Sequence, residues 1–128
     1  MVIDTHAHVV PVSLIETLRA ERRLFPSVKL HDGAMPRMEF AGGGPGRPIQ
    51  PRLWDLAQRR GWLEHARVDR QLVGGWTDVY GYDLPGAEGA DWSRLYNEHM
   101  LPSQSRRKAK EGYKLGGPWP TLFDFATN

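Results

Sequence analysis

The sequence predicts an α/β fold built on a parallel sheet. An apolar, β-branched segment opens the chain, a second such segment lies at 68–76, and stretches with helical periodicity follow both. Strands that alternate with helices favour a parallel sheet joined by right-handed crossovers. The 128 residues, 40% of them hydrophobic, are enough for one ordinary domain. A complete eight-stranded α/β barrel typically needs about 250 residues, so this chain is too short for one.

The first strand is predicted over "VIDTHAHVV". Side chains at alternate positions of a strand share a face, so we expect Asp4, His6 and His8 on one side. Their apolar neighbours predict that this side faces the interior, where buried polar groups need partners. A helix is predicted next over "LIETLRAERR", with Ser13 as its N-cap and Glu16 completing a capping box.

The middle of the chain predicts a loop, a helix and a strand. Residues 26–51 are rich in Gly and Pro, which indicates a long irregular loop, with a short hairpin around "KLHDGAMPRMEF" as an open alternative. "VDRQLVGGW" predicts the second buried strand. Between them, "PRLWDLAQRRGWLEHAR" predicts one helix with an apolar face of Leu53, Leu56, Ala57, Leu63 and Ala66.

A last helix is predicted over "WSRLYNEHML", with Asp91 as its N-cap. Its apolar stripe is core if a sheet covers it and an exposed interface if the sheet is incomplete. His99 lies on the stripe side and is expected to be a packed or rim residue. The stripe comprises Trp92, Leu95, Tyr96 and Met100.

The chain changes character after Leu101. Residues 1–101 carry 12 Lys and Arg against 13 Asp and Glu, whereas residues 102–128 carry 5 against 2. We therefore expect a body at 1–101 and a basic, poorly ordered tail at 102–128. The run from Arg106 to Lys114 lacks interleaved aromatics and is typical of a solvated tail. A nucleic-acid partner is therefore not expected, although contact with phosphates is the alternative.

Composition excludes several classes of protein. No apolar stretch approaches the roughly 20 residues of a membrane-spanning helix, and Asp4 and His6 lie where a secretory signal would be apolar. We expect a soluble cytoplasmic protein without a membrane partner. The chain has no cysteine, so a metal site must use His, Asp or Glu.

The His6-x-His8 pair is the strongest chemical signal in the sequence. Two imidazoles on one face of a strand are suited to chelating a divalent ion such as zinc. Taken alone, the pair is equally typical of structural histidines. Asp4 has two interpretations as well, as an acceptor that orients a ligand histidine or as a residue that caps a turn.

The segment "IDTHAHVVP" resembles the opening strand of the amidohydrolase superfamily. Residues 1–101 are similar to the N-terminal part of its decarboxylase branch, typified by aminocarboxymuconate-semialdehyde decarboxylase. The resemblance continues through three later blocks in the same order, "GRPIQPRLWD", "LEHARVDRQLV" and "YNEHML". It implies a partial (β/α)8 TIM barrel, represented here by its first two β/α units.

The resemblance also implies a site. His6 and His8 would bind a catalytic zinc at the carboxyl-terminal mouth of the barrel, and Arg47 would bind the carboxylate of a small-molecule substrate. The alternative for Arg47 is a solvated loop residue. The reaction would be a decarboxylation or a hydrolysis through a metal-bound water. Members of the family are often dimers, which implies a homodimer here.

The chain departs from the family pattern in three respects. The remaining family ligands, two histidines and an aspartate, come from later strands, and none of His31, His65 and His99 matches them. Arg67 stands where the family usually has Gly, a position suited to a left-handed backbone. The tail does not continue the expected helix and third strand. We therefore expect a truncated or frame-shifted member with an incomplete ligand set and weak or no activity. The alternative is a non-catalytic fragment or interaction module.

Overall fold

The structure, a computed structural model, describes residues 1–111 and 123–126. Its elements alternate between strand and helix along most of the chain. A single turn of 3₁₀-helix, Thr77–Val79, follows β4. In chain order the elements are β1 (Ile3–Val9), α1 (Val12–Ala20), β2 (Val28–His31), β3 (Arg37–Phe40), α2 (Pro51–Trp54), α3 (Leu56–His65), β4 (Arg70–Gly75), α4 (Gly86–Glu111) and β5 (Phe123–Ala126).

The main sheet is mixed. Strand β4 lies at its centre, pairs in parallel with β1 and pairs antiparallel with β5. The predicted α/β class and the parallel pairing of the first two predicted strands are confirmed. The described residues form no closed barrel, and a TIM barrel requires every neighbouring pair to be parallel. The partial barrel is therefore not confirmed, because an antiparallel strand lies beside β4 where a barrel would have a parallel one.

The Gly- and Pro-rich segment contains the hairpin that the sequence left open. Strands β2 and β3 pair antiparallel from Val28 with Phe40 to His31 with Arg37. The chain after β3 runs back along that strand, since Gly46 N–H donates to the Met38 carbonyl at 2.9 Å. Ile49 N–H likewise donates to the Pro36 carbonyl at 2.8 Å, so residues 46–49 are held in place although they belong to no regular element.

The helix predicted over 51–67 is two helices. Asp55 ends α2 and caps α3, because its Oδ1 accepts from the N–H groups of Ala57 and Gln58 at 3.0 Å. This break turns the second helix, so the predicted apolar face is wrong. Leu63 is buried and Leu53 half-buried, whereas Leu56, Ala57 and Ala66 are exposed.

The core lies between the sheet, α1 and α4. The stripe on the last helix is core, since Trp92 is fully buried and Tyr96 and Met100 nearly so. Two predicted caps are wrong: α1 starts at Val12 and α4 at Gly86, which places Ser13 and Asp91 inside their helices. The buried side chains of the core are Val9, Val10, Leu14, Ile15, Leu18, Phe25, Val28, Met38, Ile49, Val73, Trp76, Val79, Leu84, Trp92, Tyr96 and Met100.

The segment after Leu101 differs from the prediction of an irregular tail. Helix α4 continues to Glu111, and Phe123–Ala126 pair with β4. The run "SRRKAKE" consists mostly of good helix formers, which explains the continuation despite Pro102. The rest of the predicted tail, 112–122 and 127–128, lies outside the described residues.

Across 1–111 and 123–126, no helix combines the length and apolar character needed to cross a bilayer.

Arg67 has the left-handed backbone that its position predicted, with φ of 55°. It follows the end of α3, where Val68 N–H donates to the Leu63 carbonyl at 2.9 Å and closes the helix. A residue with a Cβ is strained in this conformation, and glycine is not.

We predict that Arg67→Gly raises the free energy of unfolding by about 0.5–1 kcal/mol, because relief of strain outweighs the added chain entropy. The matched control is Arg60→Gly, an exposed position inside α3, where the same change should lower stability by about 1 kcal/mol. Urea denaturation measures both. A loss of stability in Arg67→Gly would contradict the assigned backbone.

A second prediction concerns His99, which joins α4 to α1. Its Nδ1 lies 2.9 Å from Ser13 Oγ and its Nε2 3.3 Å from Thr17 Oγ1. Burial lowers the pKa of His99, and the nearby Glu98 opposes this. The folded state therefore binds a proton less readily than the unfolded state, so stability is fully present above about pH 6.5 and falls as the pH drops below it.

His99→Gln keeps a hydrogen-bonding side chain and removes the titration. We expect the free energy of unfolding to fall more in the wild type than in His99→Gln between pH 7.5 and pH 5.5, as measured by denaturant titration. The two proteins are otherwise identical, so the comparison isolates the contribution of His99. Equal losses in the two proteins would contradict the prediction.

Candidate metal centre

The predicted site residues lie near the carboxyl ends of β1 and β4. The two strands run in parallel, with His8 opposite Gly74 and Val9 opposite Gly75, so their carboxyl ends share one edge of the sheet. Ligands of parallel α/β sheets bind outside this edge, where the chain turns away from the strands. The pairing of β1 with β4 is extended by one more hydrogen bond, since Trp76 N–H donates to the Val9 carbonyl at 3.2 Å.

His6 and His8 project from β1 as neighbouring rings. Their ring centroids lie 4.9 Å apart and their planes are at 87°. His6 is exposed and His8 is half-buried, so the expectation that both face a closed interior is wrong for His6. The rings are close enough for both to reach one small ion, as the spacing in the sequence predicted.

The hydrogen bond of His8 assigns its two ring nitrogens. Nδ1 lies 3.0 Å from the carbonyl oxygen of Gly75. A carbonyl oxygen only accepts, so Nδ1 carries the proton and Nε2 keeps its lone pair. Within the described part of the chain, that nitrogen has no hydrogen-bond partner. This is the arrangement of a metal-ligating histidine, whose other nitrogen donates to a carbonyl or carboxylate.

Asp4 orients the strand and not a histidine ring. Its Oδ1 accepts from the backbone N–H of His6 at 3.1 Å, and its Oδ2 accepts from Gln71 Nε2 at 2.7 Å. Both bonds lower the pKa of the Asp4 carboxyl group, the bond from Gln71 more strongly. The strand is irregular here, because three steps of β1 from Asp4 to Ala7 match two steps of β4. Of the two interpretations, Asp4 therefore acts as a local turn-type cap at this bulge.

A buried arginine supports the same strand from α3. Arg59 donates to Gln71 Oε1 at 2.7 Å, to the Arg52 carbonyl at 2.8 Å and to the backbone carbonyl of His8. Burial lowers the pKa of Arg59, and the charge of Asp4 opposes this shift. The contact with His8 lies on the backbone and leaves the imidazole free to bind. Strand β1 is thus held at the histidine by both β4 and α3.

Arg47 lies at the same edge but is not a free cation. Its Nε and Nη2 donate to Asp78 Oδ2 and Oδ1, both at 2.6 Å, and its guanidinium lies 5.2 Å from the ring centroid of Trp76. The bond from Arg47 lowers the pKa of Asp78, and the partial burial of the Asp78 carboxylate opposes this. Asp78 is therefore a charged partner that holds Arg47 beside the end of β4.

The other histidines are not part of this arrangement. His31 pairs with Glu39 at 2.7 Å on the hairpin, His65 is exposed on α3 and His99 contacts α1. Among the described residues, no group of three or more His, Asp or Glu side chains is arranged to hold a metal ion. The donor chemistry of His6 and His8 fits zinc, but the described ligand set is limited to this pair and is short of the three protein ligands of a catalytic site.

Sequence reasoning missed the residues that follow β4. Gly75 ends the strand, and Trp76, Asp78 and Tyr80 lie between it and α4. Tyr80 Oη donates to the same Gly75 carbonyl as His8, at 3.0 Å. The available signal was their position, since residues just after a parallel strand reach the carboxyl edge of the sheet.

Gly75 must be small for this packing to exist. A Cβ at this residue would lie 2.9 Å from Tyr80 Oη and closer still to Tyr96 Oη, whereas a Cβ on Gly74 would meet nothing within 4 Å. We predict that Gly75→Ala lowers the free energy of unfolding by about 1–3 kcal/mol, because both tyrosines must move. The control Gly74→Ala should change it by less than about 0.5 kcal/mol. Chemical denaturation checks both, and equal effects would contradict the packing.

Comparison with known proteins found no relative of this chain. No protein-family model matches the chain, and no curated protein matches it either. The likeness of "IDTHAHVVP" to amidohydrolases therefore stays a prediction, and what supports a function is the arrangement of His6, His8 and Arg47 at one edge of the sheet.

Proposed function

We propose that this chain carries the first two β/α units of an amidohydrolase-related, zinc-dependent decarboxylase or hydrolase. The observation that supports this most directly is the His6–His8 pair, with ring centroids 4.9 Å apart and His8 Nδ1 bonded to the Gly75 carbonyl. That bond leaves the Nε2 lone pair of His8 for a cation. Neutral imidazoles with a fixed tautomer are the preferred nitrogen ligands of zinc.

The substrate class in this proposal is a small carboxylic acid. Arg47 forms a two-bond fork with a carboxylate in the structure itself, that of Asp78, and 70% of its side chain is exposed. A planar guanidinium recognises carboxylates by this geometry. The chemistry that bound zinc supplies is Lewis acidity and activation of a water near neutral pH. The chain's own contribution is to hold the ion through His6 and His8 and to bind the substrate through Arg47.

His6 and His8 are fewer ligands than a catalytic zinc site needs. Two imidazoles hold a divalent ion more weakly than the three or more ligands of a catalytic site. Zinc binding is therefore the property proposed for these 128 residues, and turnover requires further ligands. A homodimer of the kind common in the family would be one source of them.

The test is zinc titration of the purified protein by calorimetry, with metal analysis after dialysis. We expect one zinc ion per chain at saturation. Loss of an outer-shell partner typically weakens metal binding by about 10–100-fold. His6→Ala and His8→Ala each remove a ligand, so each should weaken zinc binding by more than that. The matched control is His65→Ala, which removes an exposed histidine from α3 and should leave zinc affinity unchanged.

The second candidate is a non-catalytic interaction module. Strand β1 is at one end of the described three-stranded sheet, and Met1, Val2 and Ile3 are exposed next to it. An apolar strand at a sheet edge favours association. The zinc titration separates the two proposals: no zinc uptake at saturating metal, or uptake that survives both His6→Ala and His8→Ala, would reject the metal site and favour the module.

A further inference from the structure

Arg47 uses only part of its hydrogen-bonding capacity on Asp78. A guanidinium has five N–H donors, one on Nε and two on each Nη. Asp78 takes the Nε donor and one Nη2 donor, at 2.6 Å each. The pair thereby occupies the Nε–Nη2 side edge of the guanidinium.

The outer edge of the same guanidinium remains open. Among the described residues, Nη1 of Arg47 makes no hydrogen bond, and the side chain is 70% exposed. Nη1 and the second donor of Nη2 form another parallel pair, which matches the spacing of two carboxylate oxygens. Arg47 is therefore able to bind a second carboxylate without releasing the first.

Three contacts fix the plane in which that edge lies. The Asp78 fork holds the guanidinium from the side, and Arg47 Cζ lies over the Trp76 ring, 5.2 Å from its centroid. The Arg47 backbone follows Gly46, whose N–H is bonded to the Met38 carbonyl. Asp78 is only 21% exposed, and Trp76 is buried, so the supporting groups are themselves anchored.

We propose that Asp78 is a positioning residue, which fixes the guanidinium of Arg47 so that its Nη1–Nη2 edge is presented to the ligand's carboxylate. This rests on the carboxylate-binding role proposed above for Arg47. Because Arg47 and Asp78 together carry no net charge, the edge selects by the planar geometry of two oxygens more than by charge. A carboxylate should therefore bind in preference to a spherical anion such as chloride.

The competing interpretation makes Asp78 an internal blocker that a ligand must displace. Displacement would break two charge-assisted bonds, whereas the open edge requires none to be broken. The two interpretations predict opposite effects of removing Asp78. A positioning residue aids binding by holding a flexible side chain, so its loss weakens the carboxylate complex. Loss of a blocker strengthens it.

The experiment is an NMR titration of the ¹⁵N-labelled chain with sodium acetate at constant ionic strength, and with sodium chloride as the comparison anion. The reporters are the Arg47 Nε–H signal and the backbone amide of Trp76. In the wild type we expect a saturable acetate shift that chloride does not reproduce and that Arg47→Lys abolishes. In Asp78→Ala, the acetate affinity should fall roughly two- to tenfold, and the preference over chloride should shrink with it.

A second variant keeps the test decisive if Asp78→Ala does not fold. Asp78→Asn has nearly the same shape but one acceptor oxygen, so it should give an intermediate loss of acetate affinity. The free energy of unfolding is measured for each variant, since a loosened fold would weaken acetate and chloride alike and leave the preference intact. Acetate binding that is unchanged or tighter without the Asp78 carboxylate would overturn the positioning role.

The result also separates this inference from the function on which it rests. If wild-type protein shows no acetate shift at Arg47, both the carboxylate role of Arg47 and the role of Asp78 are rejected. If acetate binds but the Asp78 variants keep full affinity and preference, only the role of Asp78 is rejected. Zinc binding by His6 and His8 is measured without acetate and does not depend on either outcome.

Discussion

The parallel pairing of β1 with β4 is the constraint on which the candidate site depends. It places His8 beside the Gly75 carbonyl and brings the turn after β4 to the end of β1. Glycine at 75 allows this approach, because Tyr80 and Tyr96 occupy the space that a side chain would need. A single register between two strands thus fixes the tautomer of His8 and brings the turn that carries Asp78 to the end of β1.

Strand β1 is also held by a buried polar network. Arg59 is 8% exposed and Gln71 3%, and they bond to each other while reaching Asp4 and the His8 carbonyl. Burying a guanidinium is costly unless its donors are paired, and here Nη1 and Nη2 bond to a side-chain amide and to backbone carbonyls. This network explains why α3 buries an arginine on the side where its sequence pattern predicted apolar residues. It also makes the backbone that carries the histidines less free to move.

Local patterns in the sequence predicted several of the elements and few of the contacts between them. Strand β1, strand β4 and the apolar stripe on α4 follow from side-chain periodicity, and the left-handed backbone at Arg67 follows from the glycine that the family resemblance puts there. The closeness of His6 and His8 follows from their alternation along a strand. The break at Asp55 was missed because a capping residue inside a helical pattern looks like an ordinary polar position.

Contacts between distant residues account for the other differences. The bond from Gln71 to Asp4 and the fork between Arg47 and Asp78 join residues 67 and 31 positions apart, respectively. Periodicity carries no information about such pairs. The antiparallel pairing of β5 with β4 is non-local as well, and it is what separates the observed sheet from the predicted piece of a parallel barrel. The closeness of the two histidines was therefore predicted, and the groups that hold Arg47 and His8 were missed.

The most direct test of this account is the tautomer of His8 in the metal-free protein, measured by long-range ¹H–¹⁵N NMR of the imidazole at neutral pH. The bond to the Gly75 carbonyl predicts a protonated Nδ1 and a lone pair on Nε2, the reverse of the form that free histidine prefers. A protonated Nε2 would contradict the account, because the strand pairing would then not prepare His8 to bind a cation.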